Sequence, residues 1–178
     1  MLIIAVTLLY VIGFYANEVL FYNLEHHRGA HWVFLPAGLR MIAVLLLGAK
    51  GAIGIFLGSA LVVWHLGESN LPGHIVEPLI SACAPLITYY LALRCGLSVN
   101  LKNLTAKLLI VLSVGFATTN ALLQSLWYAT QGVTESFSSS FIVMFVGDLL
   151  GTIIVIYVFR LFLVSVPDRK SKSDARGD

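Results

Sequence analysis

Two residues of opposite charge stand inside stretches that are otherwise apolar: Arg40 in "LPAGLRMIAVLLLG" and Asp148 in "FVGDLLG". In hydrocarbon an isolated charge costs about 2.5–3.5 kcal/mol on insertion scales, so each needs an answering group. Each lies well inside its apolar run, which puts the two at similar depth. That matching predicts a buried Arg40–Asp148 ion pair between two helices. Such a pair either fixes which helices meet or takes part in ligand binding and signalling. Gly147 and Gly151 flank Asp148 and leave room for a neighbouring helix or side chain to approach closely. Pro36, one turn outward of Arg40, is expected to kink its helix and free a carbonyl.

A second polar set gathers toward one end of the apolar runs. Asn17 and Glu18 fall near the end of the first run, His65 ends the third and Glu77 begins the fourth. Asn120, Gln124 and Trp127 have the i, i+4, i+7 spacing of one helix face, and Glu77, Ser81 and Thr88 share another with Pro85. Glu18, His65, Glu77, Asn120, Gln124 and Trp127 are therefore candidate residues of an outward-opening pocket for a small molecule. The alternative is a set of interhelical hydrogen bonds and ordinary headgroup-level side chains. His26, His27 and His31 in "EHHRGAHW" lack a carboxylate–histidine helix spacing, and no metal site is expected. Cys83 and Cys95 would stand about 18 Å apart on one helix, too far for a disulfide within it. No nucleophile motif, H-E-x-x-H or phosphate loop is present, so no catalytic residue and no cofactor is expected. The basic residues form no stripe that would suit nucleic acid.

These residues need a scaffold, and the composition says which kind. Of 178 residues, 58% are hydrophobic and 11% charged, against about 25% charged in soluble domains; the mean hydropathy is +0.90. The solvent is a lipid bilayer. Apolar runs predict helices near 2–22, 32–49, 51–67, 75–95, 105–129 and 138–164. The expected fold is an all-α bundle of six transmembrane helices over 1–166, with a disordered polar tail at 167–178. The first run lacks a basic flank and a cleavage site, so it reads as a span rather than a secretory signal. "AKG" joins the second and third spans as a tight hairpin.

Lys50, Arg94, Lys102, Lys107, Arg160 and the basic residues of the tail all fall on one side of six crossings. Arg28, with Glu25, Glu68 and Glu135, falls on the other, so both termini are expected in the cytoplasm. Trp32, Trp64 and Trp127 lie at expected outer ends, as an aromatic belt requires. Gly51, Gly54 and Gly58 make one face of the third helix small, for close packing, and His65 continues that face into the bundle.

"FLPAGLRMIAVLLLGAKGAIGIFLGSAL" resembles the proline-glycine segment and glycine hairpin of bacterial membrane-associated sensor domains (MASE type), and "VGDLLGTIIVIYVF" resembles their closing Gly-Asp-x-x-Gly helix. By position Pro36, Gly38, Gly48, Gly58, Gly147, Asp148 and Gly151 match that pattern. The resemblance implies an input module of the bacterial cytoplasmic (inner) membrane, usually fused to a histidine kinase, a diguanylate cyclase or a phosphodiesterase. The chain is shorter than such domains and ends in a polar tail, so signalling is expected to use a separate protein partner. Its length and six spans are also similar to the substrate-binding subunits of energy-coupling-factor vitamin transporters, which bind a small molecule in an outward pocket. A third reading is a membrane assembly or structural protein. The leading expectation is a sensory, ligand-binding module without chemistry of its own.

Overall fold

The computed structural model describes residues 1–21, 24–27, 30–67, 72–97, 105–133 and 136–165, with the backbone alone at 25–27 and 159–165. The expected tail at 167–178, and the loop charges Arg28, Glu68, Lys102 and Glu135, lie outside the described residues. Backbone N–H and C=O groups in lipid must be paired within the protein, and the apolar runs meet that demand as helices. They are α1 (Leu2–Phe21), α2 (Leu35–Leu47), α3 (Ala49–Leu66), α4 (Gly73–Arg94), α5 (Ala106–Thr130) and α6 (Phe137–Ser165). Between α1 and α2 a short hairpin pairs β1 (Glu25–His27) with β2 (Ala30–His31), Glu25 opposite His31 and His27 opposite Ala30.

Five helices, all but α2, are long and apolar enough to cross a membrane. The chain is an all-helical, multi-pass membrane protein. Its outward faces carry an apolar belt, with Leu8, Ile12, Leu61, Leu122, Leu126 and Ile153 among the exposed side chains. The thirteen residues of α2 reach about 20 Å, short of a hydrocarbon core of about 30 Å.

That short helix is the centre of the bundle. It packs against each of the other five helices. Eight of its thirteen residues are buried, against four of the twenty in α1, so α2 faces protein where α1 faces mostly outward. Three expectations about this region are corrected. The second helix starts at Leu35, not near 32, which puts Pro36 in its first turn. There the missing N–H removes no intrahelical bond, and the proline starts the helix instead of kinking it. The connection to α3 is Gly48 alone, at φ +55°, a conformation that favours glycine. "AKG" is the first turn of α3.

Small residues set the close contacts, on more than one face. Gly54 and Gly58 lie against Val6, Thr7 and Tyr10 of α1, where an added Cβ would stand 2.7 Å from the Val6 Cβ. The Thr7 hydroxyl reaches the Gly54 carbonyl across that seam at 3.1 Å. Gly51 turns elsewhere, against the Ala43 carbonyl of α2, and closes the hairpin. Gly38 lies 2.5 Å, measured from an added Cβ, from the Val155 Cβ of α6.

Gly147 and Gly151 do not receive a helix. They receive the irregular backbone before α2: a Cβ at Gly147 would collide with the His31 carbonyl, and one at Gly151 with the Phe34 carbonyl. Its first two residues are buried, Ala30 fully and His31 at 4% exposure, while Trp32 is exposed and Val33 and Phe34 are half-buried. Its N–H groups are answered by the protein: Trp32 N donates to Leu24 O at 3.0 Å and Phe34 N to Gly147 O at 3.1 Å. Irregular backbone at membrane depth survives only where protein encloses it in this way. Gly151→Val must push backbone away from backbone. It is expected to cost about 3 kcal/mol, read as a loss of unfolding free energy in lipid nanodiscs. Gly115→Ala, whose Cβ meets only the Thr88 methyl at an ordinary 3.5 Å, should change little.

Candidate functional site

The site is built where four helices meet at the first half of α2. Side chains on a helix lean toward its N-terminus, so the Arg40 guanidinium is carried back toward the start of α2. There it lies 4.9 Å above the Phe34 ring and 5.6 Å from the Tyr10 ring. Arg40 is 3% exposed. Its Nη2 donates to the Tyr10 hydroxyl at 3.1 Å and its Nη1 to Asn120 Oδ1 at 3.3 Å. The other end of the same amide donates to Asp148: Asn120 Nδ2 stands 2.6 Å from Asp148 Oδ2.

Arg40 and Asp148 therefore communicate through Asn120. No direct hydrogen bond joins them. The amide suits the place because its oxygen is the negative end and its NH2 the positive end of a dipole, aligned here from cation to carboxylate. The tyrosine and phenylalanine faces add cation–π attraction, which grows where water is excluded. The matched depth expected for the two charges is present, and the intermediary is a residue the sequence had placed in the outer pocket set.

Asn17 supplies a second feature of the site. Its Oδ1 accepts from Leu35 N at 2.8 Å, so a side chain of α1 serves α2 as an N-terminal cap. Phe34, the residue at the cap position itself, offers no side-chain acceptor. Nearby, His31 stacks on Phe34 at 5.6 Å with the planes 17° apart, and its Nε2 is 3.5 Å from Glu18 Oε1.

The remaining pocket candidates divide. Gln124, one turn beyond Asn120 on α5, is buried at 8% exposure. Trp127 is half-buried and packs with the cluster of Ala30, Ala121, Tyr128, Val143 and Met144. Glu77, in the second turn of α4, is half-buried and stands outside the Arg40–Asn120–Asp148 network. His65 is a correction. It is exposed in the last turn of α3 and meets only the edge of the bundle, with its ring 6.1 Å from that of Tyr15. Ser81 on α4 pairs with Ser59 on α3 at 3.4 Å. The side chains of His26 and His27 lie outside the described residues, and among those described no three His, Cys, Asp or Glu residues gather in a metal-holding group.

Tyr10, Phe34 and His31 are the members that sequence reasoning did not assign. Tyr10 carried no usable signal, since one tyrosine among apolar residues of α1 reads as bilayer-facing. His31 and Phe34 carried a faint one, because "HWVFLP" runs into a proline, a residue favoured in the first turn of a helix.

Replacing Asn120 by Leu leaves both buried charges without their bridge. The expected loss is about 3–5 kcal/mol, against about 1 kcal/mol for Tyr10→Phe, which removes one acceptor from a guanidinium that keeps Asn120. Chemical unfolding of the two variants in the same micelle measures this; equal losses would remove Asn120 from the bridging role. Set against protein-family models, curated proteins and solved structures, the chain matches none.

Proposed function

We propose that this chain is the ligand-binding input module of a bacterial cytoplasmic-membrane system, crossing the bilayer six times with both termini inside and performing no chemistry itself. One observation carries the reading: the short central helix α2 is preceded by non-helical chain packed on α6, which we read as a discontinuous second crossing. A non-helical stretch at 30–34, buried at Ala30 and His31, leads into a thirteen-residue helix at the centre of the bundle. The non-helical residues add up to about 3.3 Å each and supply the length that α2 lacks. Broken spans of this kind are where membrane proteins hold small molecules, because irregular backbone exposes polar groups that a continuous helix hides. Such a span also has two ways to pack, which a ligand can bias and a partner can read.

The resemblance to membrane-associated sensor domains points the same way. Its Gly-Asp-x-x-Gly pattern falls on Gly147, Asp148 and Gly151, the residues that receive the irregular stretch and answer Arg40. The orientation rests on Lys50, Arg94 and Lys107, which are exposed at ends of α3, α4 and α5 that short antiparallel connections bring to one side.

Cys95, exposed just beyond α4, tests that orientation. A membrane-impermeant maleimide should label it in inverted vesicles and spare it in intact cells. Labelling in intact cells would reverse the orientation. The function itself is tested by native mass spectrometry of the protein released gently from its own membrane. The expected spectrum holds one small molecule per chain, with a kinase or cyclase among co-purifying proteins. A retained ATPase pair and coupling subunit would make uptake the function, and a bare chain without ligand or partner would overturn ligand binding.

A further inference from the structure

A groove of about 430 Å³ runs along the outward side of the α1–α3 seam. None of the residues that line it belongs to the Arg40–Asn120–Asp148 network. Its shape follows from the glycines. Gly54 and Gly58 bring α3 against Val6, Thr7 and Tyr10, so the helices touch along the seam while the larger side chains on their outward shoulders stand apart. Thr7, at 9% exposure, and half-buried Ala60 form the floor. Ile4 and Leu8 on α1 and Leu57 and Leu61 on α3, all exposed, are the walls. The floor asks for no polar partner, because the Thr7 hydroxyl is taken up by the carbonyls of Ile3 and Gly54 at 3.0 and 3.1 Å.

The groove is continuous with the apolar belt. Leu8 and Leu61 belong to both, so what reaches it comes from the hydrocarbon of the bilayer. Two kinds of apolar occupant exist there, a lipid chain and a helix of another protein or of a second copy. Helices associate in lipid through small residues that let their backbones approach. Gly54 and Gly58 are already spent inside the seam, and the rim offers Ile and Leu. The dimensions also separate the two. Gly54 lies beside the Ile3 carbonyl, so from Ile4 to Trp64 the groove extends over about ten helical residues, or about 15 Å. Its cross-section is then about 30 Å², against about 80 Å² or more for a helix with its side chains. A length of about 15 Å is half of a hydrocarbon core, the depth of one leaflet. Trp64 stands at the far end, 73% exposed, with its ring 5.3 Å from the edge-on ring of His74. An indole near a helix end suits the level of the lipid head groups.

We infer that this groove is a resident-lipid site, which holds one acyl chain of a phospholipid with the head group at the Trp64 end. The chain braces α1, which has four buried residues among its twenty and yet supplies Tyr10 to Arg40 and Asn17 to the start of α2. The site is separate from the small-molecule reading above and does not depend on it.

The test uses the full chain in a mild detergent. Native mass spectrometry should find one phospholipid per chain. After lipid is stripped, dipalmitoleoyl phosphatidylglycerol should raise the melting temperature saturably, and the dihexanoyl analogue, with the same head group, should not. Ala60→Phe fills the floor and should weaken the long-chain lipid at least about tenfold. Leu57→Ala combined with Leu61→Ala lowers one wall without adding bulk. It should weaken the lipid about fivefold and keeps the test decisive if phenylalanine disturbs the seam. An equal response in the wild type and both variants would overturn the inference, because the lipid would then be bulk solvent around the belt. The absence of a saturable response to the long-chain lipid would overturn it as well. So would a wild-type dimer that separates in the wall variant, which would put a second copy in the groove. The variants leave the Arg40 network intact, so a different small molecule retained equally by all of them reports on the function proposed above and not on this groove.

Discussion

A guanidinium held away from water must be answered by the protein, and in this chain that demand organises the bundle. Arg40 lies on a helix that packs against all five others, and its partners come from three of them: Tyr10 on α1, Asn120 on α5, and Asp148 on α6 at one remove. The arrangement makes the central helix the carrier of the buried charge. It also explains why so short a helix is retained at the centre. A bundle of Leu and Ile alone has no reason to prefer one set of neighbours in lipid, where tails are as apolar as side chains. A cation that needs Asn120 and Asp148 at its own depth does.

The second organising feature is the gap that α2 leaves. Gly147 and Gly151 lower the surface of α6 by two side chains, and the carbonyls of His31 and Phe34 lie in the space. Asn17 then takes the first N–H of the helix from outside its own element. Site and scaffold share residues here. Asp148 stands between the two glycines, so the element that answers Arg40 also seats the non-helical stretch before α2. A ligand that engaged Asn17 or His31 would act directly on the residues that fix where α2 begins.

Much of the fold is legible in hydropathy, because lipid allows little besides helices, and every span except the second lies within about two residues of its expected bounds. The second misled because "HWVFLP" is apolar enough to look helical; only the packing of its backbone on Gly147 and Gly151 makes it something else. Depth matching found Arg40 and Asp148 as related groups. It could not find Asn120 between them, since depth gives no azimuth and the helix-face spacing assigned that residue to a pocket wall. His65 shows the same limit in another form. Seven residues beyond Gly58 it does stay on the side of α1, beside Tyr15, but it stands in the last turn, where little bundle is left to bury it. Gly51, Gly54 and Gly58 read as one small face, and the structure divides them between α2 and α1. Of the six pocket candidates, Asn120 belongs to the central network, Glu77, Gln124 and Trp127 are buried or half-buried outside it, Glu18 faces His31, and His65 is exposed.

The bridging role of Asn120 is best tested by the coupling free energy between Arg40→Met and Asp148→Leu. It is to be measured by reversible unfolding once in the natural background and once with Asn120→Ala. If the amide carries the interaction, the coupling is about 1 kcal/mol or more with Asn120 in place and falls to near zero without it. The same coupling in both backgrounds would mean that the two charges meet directly, which contradicts a network joined through Asn120.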